Sequence, residues 1–206
     1  MKLLFVKGSP RGVGAHSTKV AEAYLAEYRS KNPHATIEEI DLWRTPLPEF
    51  DGDRAAAKMS FFGEGTLEGA RKTAWDEIVA ITNRFTSADN YLFTVPMWNG
   101  GIPYRLKLYI DIITQPGLLF GFDPAAGYSG LLKGKRATVI YTSGVYAPGV
   151  PPAFGTDHHS TYFDEWLRFI GIEDIATVRF QPTLLTNDVA GGLERARLSA
   201  TTASVR

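Results

Sequence analysis

The sequence predicts a doubly wound α/β fold, in which a five-stranded parallel sheet in the order 2-1-3-4-5 carries helices on both faces. Three observations predict it. Five short apolar runs alternate with longer segments of helical periodicity, which is the pattern of consecutive βαβ units. The chain has 206 residues, the length of one domain spanning 1–206. Hydrophobic residues make up 44% of the chain and charged residues 21%, which suffices to cover both faces of a sheet.

Each predicted strand is a short apolar run of the kind found in strands that are buried on both faces. Polar residues, glycine or proline bound these runs; the first, for example, ends at Gly8. In chain order the predicted strands span residues 2–7, 36–42, 90–95, 136–142 and 175–180.

Apolar residues spaced three and four apart predict the helices. The first helix begins near Ser17 or Thr18, either of which can cap it, and Pro33 prevents its continuation. The other helices are predicted over residues 67–85, 102–113, 160–172 and from 187 onward. A loop is predicted over 44–52, and residues 61–67 and 117–132 are predicted as insertions over the edge of the sheet.

The composition excludes several classes of function. Twenty-two basic residues balance twenty-two acidic ones, so the basic surface that nucleic-acid binding needs is missing. The absence of cysteine excludes disulfides, thiolate metal sites and cysteine-based catalysis. The first apolar run is too short for a signal peptide, and none approaches the roughly 18 residues of a membrane span. We therefore expect a soluble cytoplasmic protein with no nucleic-acid partner and no membrane span.

The loop over residues 8–18, GSPRGVGAHST, follows the first strand and opens a helix. Free N–H groups and the positive end of the helix dipole favour a phosphate at such a place. Ser9, His16 and Ser17 can add hydrogen bonds. The loop has neither the Gly-Lys-Ser/Thr ending of a P-loop nor G-x-G-x-x-G spacing. Phosphate binding and an ordinary Gly/Ser turn with a helix cap are the two interpretations of this loop.

Two further loops, 96–101 (PMWNGG) and 142–149 (TSGVYAPG), follow strands that end at the same edge of the predicted sheet. They carry no charge, and their glycines allow backbone to approach a ligand closely. Trp98 and Tyr146 offer aromatic faces, and Asn99 both donates and accepts hydrogen bonds. Such a bed fits an isoalloxazine ring, and with phosphate at the first loop it predicts a mononucleotide site. The alternative is that Trp98 is a core aromatic and the glycines only turn the chain.

Several segments, taken in order, resemble the FMN-dependent NADH azoreductases and quinone oxidoreductases, a family with a flavodoxin-like fold. They are GSPRG…HS, PMWNGGIPYRLKLYID, GLLKGK, YTSGVY and FIGI, and they run across most of the chain. The second of them is the most specific. The resemblance implies a non-covalent FMN, NADH or NADPH as electron donor, and a homodimer with FMN near the interface.

The resemblance also implies which residues bind the cofactor: four at the phosphate, four forming the bed of the ring and four on its other flank. Carried over position by position, these are Ser9, Ala15, His16, Ser17, Met97, Trp98, Asn99, Gly100, Ser143, Gly144, Val145 and Tyr146. Three of them depart from the family pattern. Ala15 replaces a hydroxyl residue, so it can contribute only main-chain contacts. Gly100 replaces a larger residue, which opens the substrate cavity, and Val145 interrupts a Gly-Gly pair.

The mechanism that the resemblance implies has two half-reactions. NAD(P)H passes hydride to the flavin and leaves, and a quinone or azo compound then enters and is reduced. This chemistry belongs to the cofactor, so no side chain is predicted to be catalytic. The resemblance also implies that Phe120 or Phe122, together with Phe169, lines the substrate cavity, either within one chain or from the partner subunit. Packing in the core or an interface is the alternative, and it is favoured for Phe169, which lies at helical spacing from Trp166.

Two other functions compete with this enzyme. A flavodoxin-type electron carrier without small-molecule turnover is disfavoured because such carriers tend to be acidic and shorter; a flavin-binding scaffold is the other. The adjacent His158 and His159 diverge on a helix or strand, so no metal site is expected. Arg105 and Lys107 could attract the phosphates of a pyridine nucleotide, but a solvated helix face is the commoner explanation for such charges.

Overall fold

A computed structural model describes residues 1–205 and contains a five-stranded sheet and a separate two-stranded one. The strands are β1 (Lys2–Lys7), β2 (Thr36–Asp41), β3 (Asn90–Pro96), β4 (Phe120–Asp123), β5 (Gly127–Gly130), β6 (Arg136–Thr142) and β7 (Asp174–Phe180). The helices are α1 (His16–Lys31), α2 (Gly52–Met59), α3 (Gly69–Thr86), α4 (Tyr104–Ile113), α5 (Ser160–Phe169) and α6 (Val189–Ala203).

The main sheet has the order β2-β1-β3-β6-β7, and all of its neighbouring strands are parallel. Counted over the five predicted strands, this is the predicted order 2-1-3-4-5. The order changes direction at β1, whose neighbours are β2 and β3, and β3 in turn pairs with β6. Loops that leave the carboxyl ends of β1, β3 and β6 therefore lie side by side, which is where such sheets bind ligands.

Helices cover both faces of the sheet, because alternate side chains of each buried strand point to opposite sides. In β1, Leu3 and Phe5 join the core under α1 and α6, whereas Leu4 and Val6 join the core under α3, α4 and α5. All four are at most 1% exposed. The continuous apolar runs of the sequence thus report burial on two sides.

The sequence analysis missed two elements. Helix α2 begins at Gly52, the last residue of the loop predicted over 44–52; its cap is Asp51, whose carboxylate accepts from the Arg54 N–H at 3.1 Å. The segment predicted as an insertion over 117–132 contains the antiparallel β4–β5 hairpin, whose turn is closed by Asp123 Oδ1 accepting two main-chain N–H groups at 2.8 Å. Within residues 1–205, no helix is both long and apolar enough to cross a bilayer.

Candidate functional site

Three loops meet at the carboxyl edge of the sheet and enclose a cleft of about 280 Å³, here called the loop cleft. Its lining consists of Ser9, Pro10, Arg11, Ala15, His16, Ser17, Pro96, Met97, Trp98, Thr142, Ser143, Gly144, Thr183 and Leu184. Eight of the twelve residues predicted to bind FMN are among them. The other four, Asn99, Gly100, Val145 and Tyr146, lie on the same loops outside this lining.

The segment after β7 contributes to the cleft and was missed by the sequence analysis. Thr183 N–H donates to the Ser143 carbonyl at 2.9 Å, and Leu184 N–H donates to the Gly144 carbonyl at 2.8 Å. The Leu184 side chain covers Gly144, since a Cβ built there would stand 2.9 Å from Leu184 Cδ1. No motif marks Thr183 and Leu184. The only signal in the sequence is that they follow a strand that ends at the same edge.

The first loop is held against β3 at Gly8. The Gly8 N–H donates to the Thr94 carbonyl at 3.0 Å, and a Cβ at position 8 would lie 2.5 Å from that oxygen. Only glycine fits such an approach. The loop then makes a short 3₁₀ turn over Gly12–Gly14, in which the Ala15 N–H donates to the Gly12 carbonyl at 3.1 Å. These contacts position the start of α1 at the wall of the loop cleft.

Helix α1 begins without a side-chain cap. Its N-cap is Ala15 rather than Ser17 or Thr18, so the predicted cap was wrong. Within residues 1–205, the main-chain N–H groups of His16, Ser17 and Thr18 donate to no acceptor. The Ala15 N–H donates within the preceding turn, and it is therefore not free to bind a ligand. Three free donors and the positive end of a 16-residue helix favour an anion at this point.

Two side-chain atoms beside this helix start are buried without a hydrogen-bond partner in the described part of the chain, Ser17 Oγ and His16 Nδ1. Ser17 is 1% exposed. An unsatisfied buried polar group is unfavourable, and both residues line the loop cleft. Ser9 is also buried there, and its Oγ accepts only a long bond of 3.4 Å from the Arg11 N–H. The arrangement fits a phosphate, whose oxygens would accept from these donors.

The electrostatics at this point favour an anion. Burial lowers the pKa of His16 below its ordinary value of 6.5, and the positive charges of Lys19 and Arg11 lower it further. His16 is therefore neutral at pH 7 in the unliganded chain. The two cations that depress the pKa of His16 would be partly neutralised by a bound phosphate.

The second loop makes a tight turn over residues 98–101. Trp98 and Gly101 exchange both main-chain hydrogen bonds at 2.9 Å, with Asn99 at φ 49° and Gly100 at φ 82°. Positive φ at both central positions requires an Asn-Gly pair or its like, which explains these residues physically. The N–H groups of Trp98 and Gly101 are used within the turn. Those of Asn99 and Gly100 have no acceptor in the part of the chain that the structure describes.

Hydrogen bonds hold the third loop in shape and attach it to the segment that follows β7. The Ser143 hydroxyl donates to the Tyr146 carbonyl, and the Gly144 carbonyl accepts N–H groups from Leu184 and its neighbours. Val145 is exposed at the tip of this loop, and Tyr146 lies beside Gly155. The Ser143 hydroxyl is thus engaged within the loop, and Val145 is its most accessible apolar side chain.

A second, more apolar cleft of about 600 Å³ adjoins the first at Trp98, and we call it the aromatic cleft. The Trp98 ring packs against Trp43 and Tyr104, with centroids 5.4 and 6.3 Å away. Trp43 is held by its Nε1–H, which donates to the Gly8 carbonyl at 3.0 Å. Sequence reasoning missed Trp43. Trp98, 38% exposed, is therefore a wall between two clefts and not a core residue.

The three phenylalanines expected at the substrate cavity lie away from the loop cleft of their own chain. Helix α5 begins beside Val95 at the carboxyl edge of the sheet and ends at Phe169, ten residues further. Phe169 packs there against Phe120 and Tyr128, with ring centroids 5.2 and 5.4 Å away, and Phe122 contacts Tyr128. Within one chain these side chains form an aromatic cluster on the β4–β5 hairpin. None of the three lines the loop cleft of its own chain.

The two adjacent histidines have different environments. His159 is fully buried, its Nε2 lies 2.8 Å from the Val95 carbonyl oxygen, and burial lowers its pKa to about 4. His158 is exposed and borders the aromatic cleft. Residues 1–205 contain no cluster of three or more His, Cys, Asp or Glu side chains that could hold a metal ion.

Arg105 and Lys107 also differ from each other. The Arg105 guanidinium donates to the carbonyls of Leu42 and Thr45 at 2.9 and 3.0 Å, so it fixes the segment after β2 and does not lie on a solvated face. Lys107 pairs with Asp111 one helical turn away and is exposed, as predicted.

Comparison with known proteins places these features in a family. The family model described as flavodoxin-like fold matches residues 1–202. The chain is 54% identical over 203 residues to an FMN-dependent NADH:quinone oxidoreductase of Ruegeria pomeroyi, covering 98% of this chain and 99% of the relative. A second protein of that name, from Desulfotalea psychrophila, is 45% identical over 183 residues, covering 89% and 86%.

Solved structures agree with this assignment. An azoreductase from Bacillus anthracis str. Sterne has a TM-score of 0.89 at 26% identity, covering 99% of this chain and 98% of that one. An FMN-dependent NADH-azoreductase from Bacillus anthracis str. Ames Ancestor, in complex with FMN, has a TM-score of 0.85 at 27% identity, covering 100% and 98%. The chain therefore belongs to the flavodoxin-like family of FMN-dependent NADH:quinone oxidoreductases and azoreductases.

Proposed function

We propose that this protein is an FMN-dependent NAD(P)H oxidoreductase that reduces quinones and azo compounds in two half-reactions at one site. The observation that carries the proposal is the start of α1, where three free N–H groups and two unpartnered buried side-chain atoms face a cleft without a carboxylate. The relatives at 54% and 45% identity are both named FMN-dependent NADH:quinone oxidoreductase, which supports the quinone part of the proposal.

The phosphate end of the site is formed by the first loop and the first turn of α1. The N–H groups of His16, Ser17 and Thr18 would donate to the phosphate oxygens, together with the hydroxyls of Ser9 and Ser17. The charges of Arg11 and Lys19 would add positive electrostatic potential at the phosphate, and neither side chain needs to hydrogen-bond to it. Charge-assisted hydrogen bonds of this kind are about twice as strong as neutral ones.

The ring end is formed by the 98–101 turn and the 143–146 loop. The free N–H groups of Asn99 and Gly100 would donate to the polar edge of the ring, and Val145 would lie on its other flank. Bound FMN would supply the redox chemistry, which is hydride transfer from NAD(P)H to the acceptor. Among the described residues, the lining of the loop cleft contains no carboxylate. The chain therefore positions the reactants, and we assign no side chain as proton donor.

A homodimer would complete the substrate cavity. A largely apolar groove of about 510 Å³ runs between α4 and α5, bordered by Ile110, Tyr162 and Trp166 and ending at Phe169. Pairing of two chains along this face would bring the aromatic cluster of Phe120, Phe122 and Phe169 to the neighbouring chain's ring site. The molar mass in solution tests this assembly, and a monomer at micromolar concentration would contradict it.

The function is tested by anaerobic absorbance spectroscopy of the protein loaded with FMN. We expect NADH or NADPH to bleach the absorbance of the bound flavin rapidly and a quinone to restore it. In steady-state assays, double-reciprocal plots of rate against donor concentration at several quinone concentrations should give parallel lines. One equivalent of donor should be consumed per quinone and two per azo bond, because cleavage to two amines requires four electrons. A carrier would be reoxidised by protein partners without turnover of quinone. Absence of flavin binding would remove the assignment altogether.

A further inference from the structure

The two loops proposed to enclose the flavin ring are joined by a third segment, residues 157–160, here called the 157–160 turn. His158 N–H donates to the Gly100 carbonyl at 3.0 Å, which fixes one central residue of the 98–101 turn. The next side chain, His159, bonds through Nε2 to the Val95 carbonyl at the end of β3. On the other side, the Tyr146 hydroxyl donates to Asp157 Oδ2 in a long bond of 3.4 Å. The segment therefore connects both flanks of the ring site.

The Asp157 carboxylate holds this turn in shape. Its Oδ1 accepts from the main-chain N–H groups of His159 and Ser160 at 3.0 and 2.7 Å, and its Oδ2 accepts from the Ser160 hydroxyl at 2.6 Å. Arg179 donates to the same hydroxyl at 3.1 Å. Burial alone would raise the pKa of Asp157, but hydrogen bonds from Ser160 and His159 hold it below its ordinary value. The carboxylate is thus ionised and fully engaged at neutral pH.

We propose that Asp157 is a positioning residue that sets the spacing of the 98–101 turn and the 143–146 loop, and through them the affinity for the planar flavin ring. The proposal rests on the proposed function. Asp157 borders neither the loop cleft nor the aromatic cleft, so it acts through Tyr146 and His158 and not by contact with the ligand. The phosphate end lies on α1 and shares no hydrogen bond with the turn. The effect should therefore be confined to the ring.

The test compares riboflavin with FMN, because riboflavin lacks the phosphate. Asp157→Ala is expected to weaken both ligands by the same factor, roughly tenfold, in titrations followed by quenching of flavin fluorescence. The matched control is Asp51→Ala, which also removes a carboxylate that accepts a main-chain N–H at the start of a helix but lines neither cleft. We expect Asp51→Ala to leave both affinities within twofold while lowering the melting temperature like the Asp157 variant.

Each outcome decides the proposal. Equal affinities in Asp157→Ala and Asp51→Ala would show a merely structural role and overturn it, as would a loss confined to FMN. Should Asp157→Ala not fold, Tyr146→Phe keeps the turn and removes only the hydroxyl. It should weaken both ligands about two- to threefold, and no change in either would overturn the proposal. Failure of the wild-type protein to bind any flavin would instead remove the proposed function and this inference with it.

Discussion

Helices α1 and α5 both start at the carboxyl edge of the sheet, and each start carries a histidine, but the two are built differently. At α5, Asp157 accepts the N–H groups of His159 and Ser160, and His159 is buried in the core. At α1, the N-cap is Ala15, no side chain satisfies the N–H groups, and His16 borders an open cleft. The difference teaches that the first helical N–H of α5 is bonded within the chain, whereas the first N–H groups of α1 face an open cleft in which a ligand can accept them.

The largest effect on ligand binding is expected from placing an acidic residue at the start of α1, as Asp157 is placed before α5. In Ala15→Asp, the carboxylate would cap the free N–H groups of Ser17 or Thr18 and place negative charge where the phosphate is proposed. We expect FMN affinity to fall by at least about 1,000-fold, since like charges in contact cost several kcal/mol. Riboflavin affinity should change little, as measured by fluorescence titration of both ligands. Unchanged FMN binding in this variant would place the phosphate elsewhere.

The buried histidine at the start of α5 should make stability depend on pH. The pKa of His159 is about 4, below its ordinary 6.5, so its neutral form is favoured in the folded chain. Its contribution is present above pH 6.5 and is lost as the pH falls through this interval toward 4. At about pH 5 this amounts to roughly 2 kcal/mol less unfolding free energy than at about pH 7.5.

Urea denaturation of the wild type and of His159→Gln at these two pH values isolates this contribution. Glutamine can donate to the Val95 carbonyl but does not titrate in this range. The wild type should lose more stability on acidification than the variant does. Identical losses in the two proteins would contradict the assignment of a neutral, buried His159.

A smaller change at the α1 start removes a single donor. In Ser17→Ala, the lost hydroxyl has no partner within the described residues, so the unliganded protein should not lose stability. FMN affinity should fall roughly tenfold, because a hydrogen bond to a charged group contributes about 1.5–3 kcal/mol. Riboflavin affinity should stay the same. A fall in the melting temperature without loss of FMN would mean that this hydroxyl serves packing.

The sequence alone predicts the parts of this comparison that depend on local pattern. The runs 2–7 and 136–142 coincide with β1 and β6, because strands buried on both faces are continuously apolar. Helix α2 was missed although Asp51 caps it, since eight residues are too few for a convincing helical period. The β4–β5 hairpin was missed because its turn depends on one aspartate side chain.

For the site, the limit of prediction is tertiary. The three loops could be found because each follows a strand of the predicted sheet. That Ala15, and not Ser17, stands at the N-cap depends on the 3₁₀ turn before α1, which no pattern marks. Leu184 lines the loop cleft and Trp43 packs against Trp98, and both come from segments without a motif. Their position at the site is determined by the tertiary packing of distant chain segments, and residue type alone does not indicate it.

The subtlest difference between the two helix starts is the response of His16 to a ligand. In the unliganded chain its pKa lies below 6.5, through burial and the charges of Lys19 and Arg11, so it is neutral above that pH. A bound phosphate favours the imidazolium and raises this pKa, so FMN binding takes up a proton. FMN affinity should then fall a few-fold as the pH rises from about 6.5 to 8.5, a range above the phosphate's own second pKa of about 6. Riboflavin affinity should be flat across this range, and His16→Gln should remove the slope for FMN. Fluorescence titrations of both proteins at several pH values measure it, and an equal slope in wild type and variant would assign the proton to another group.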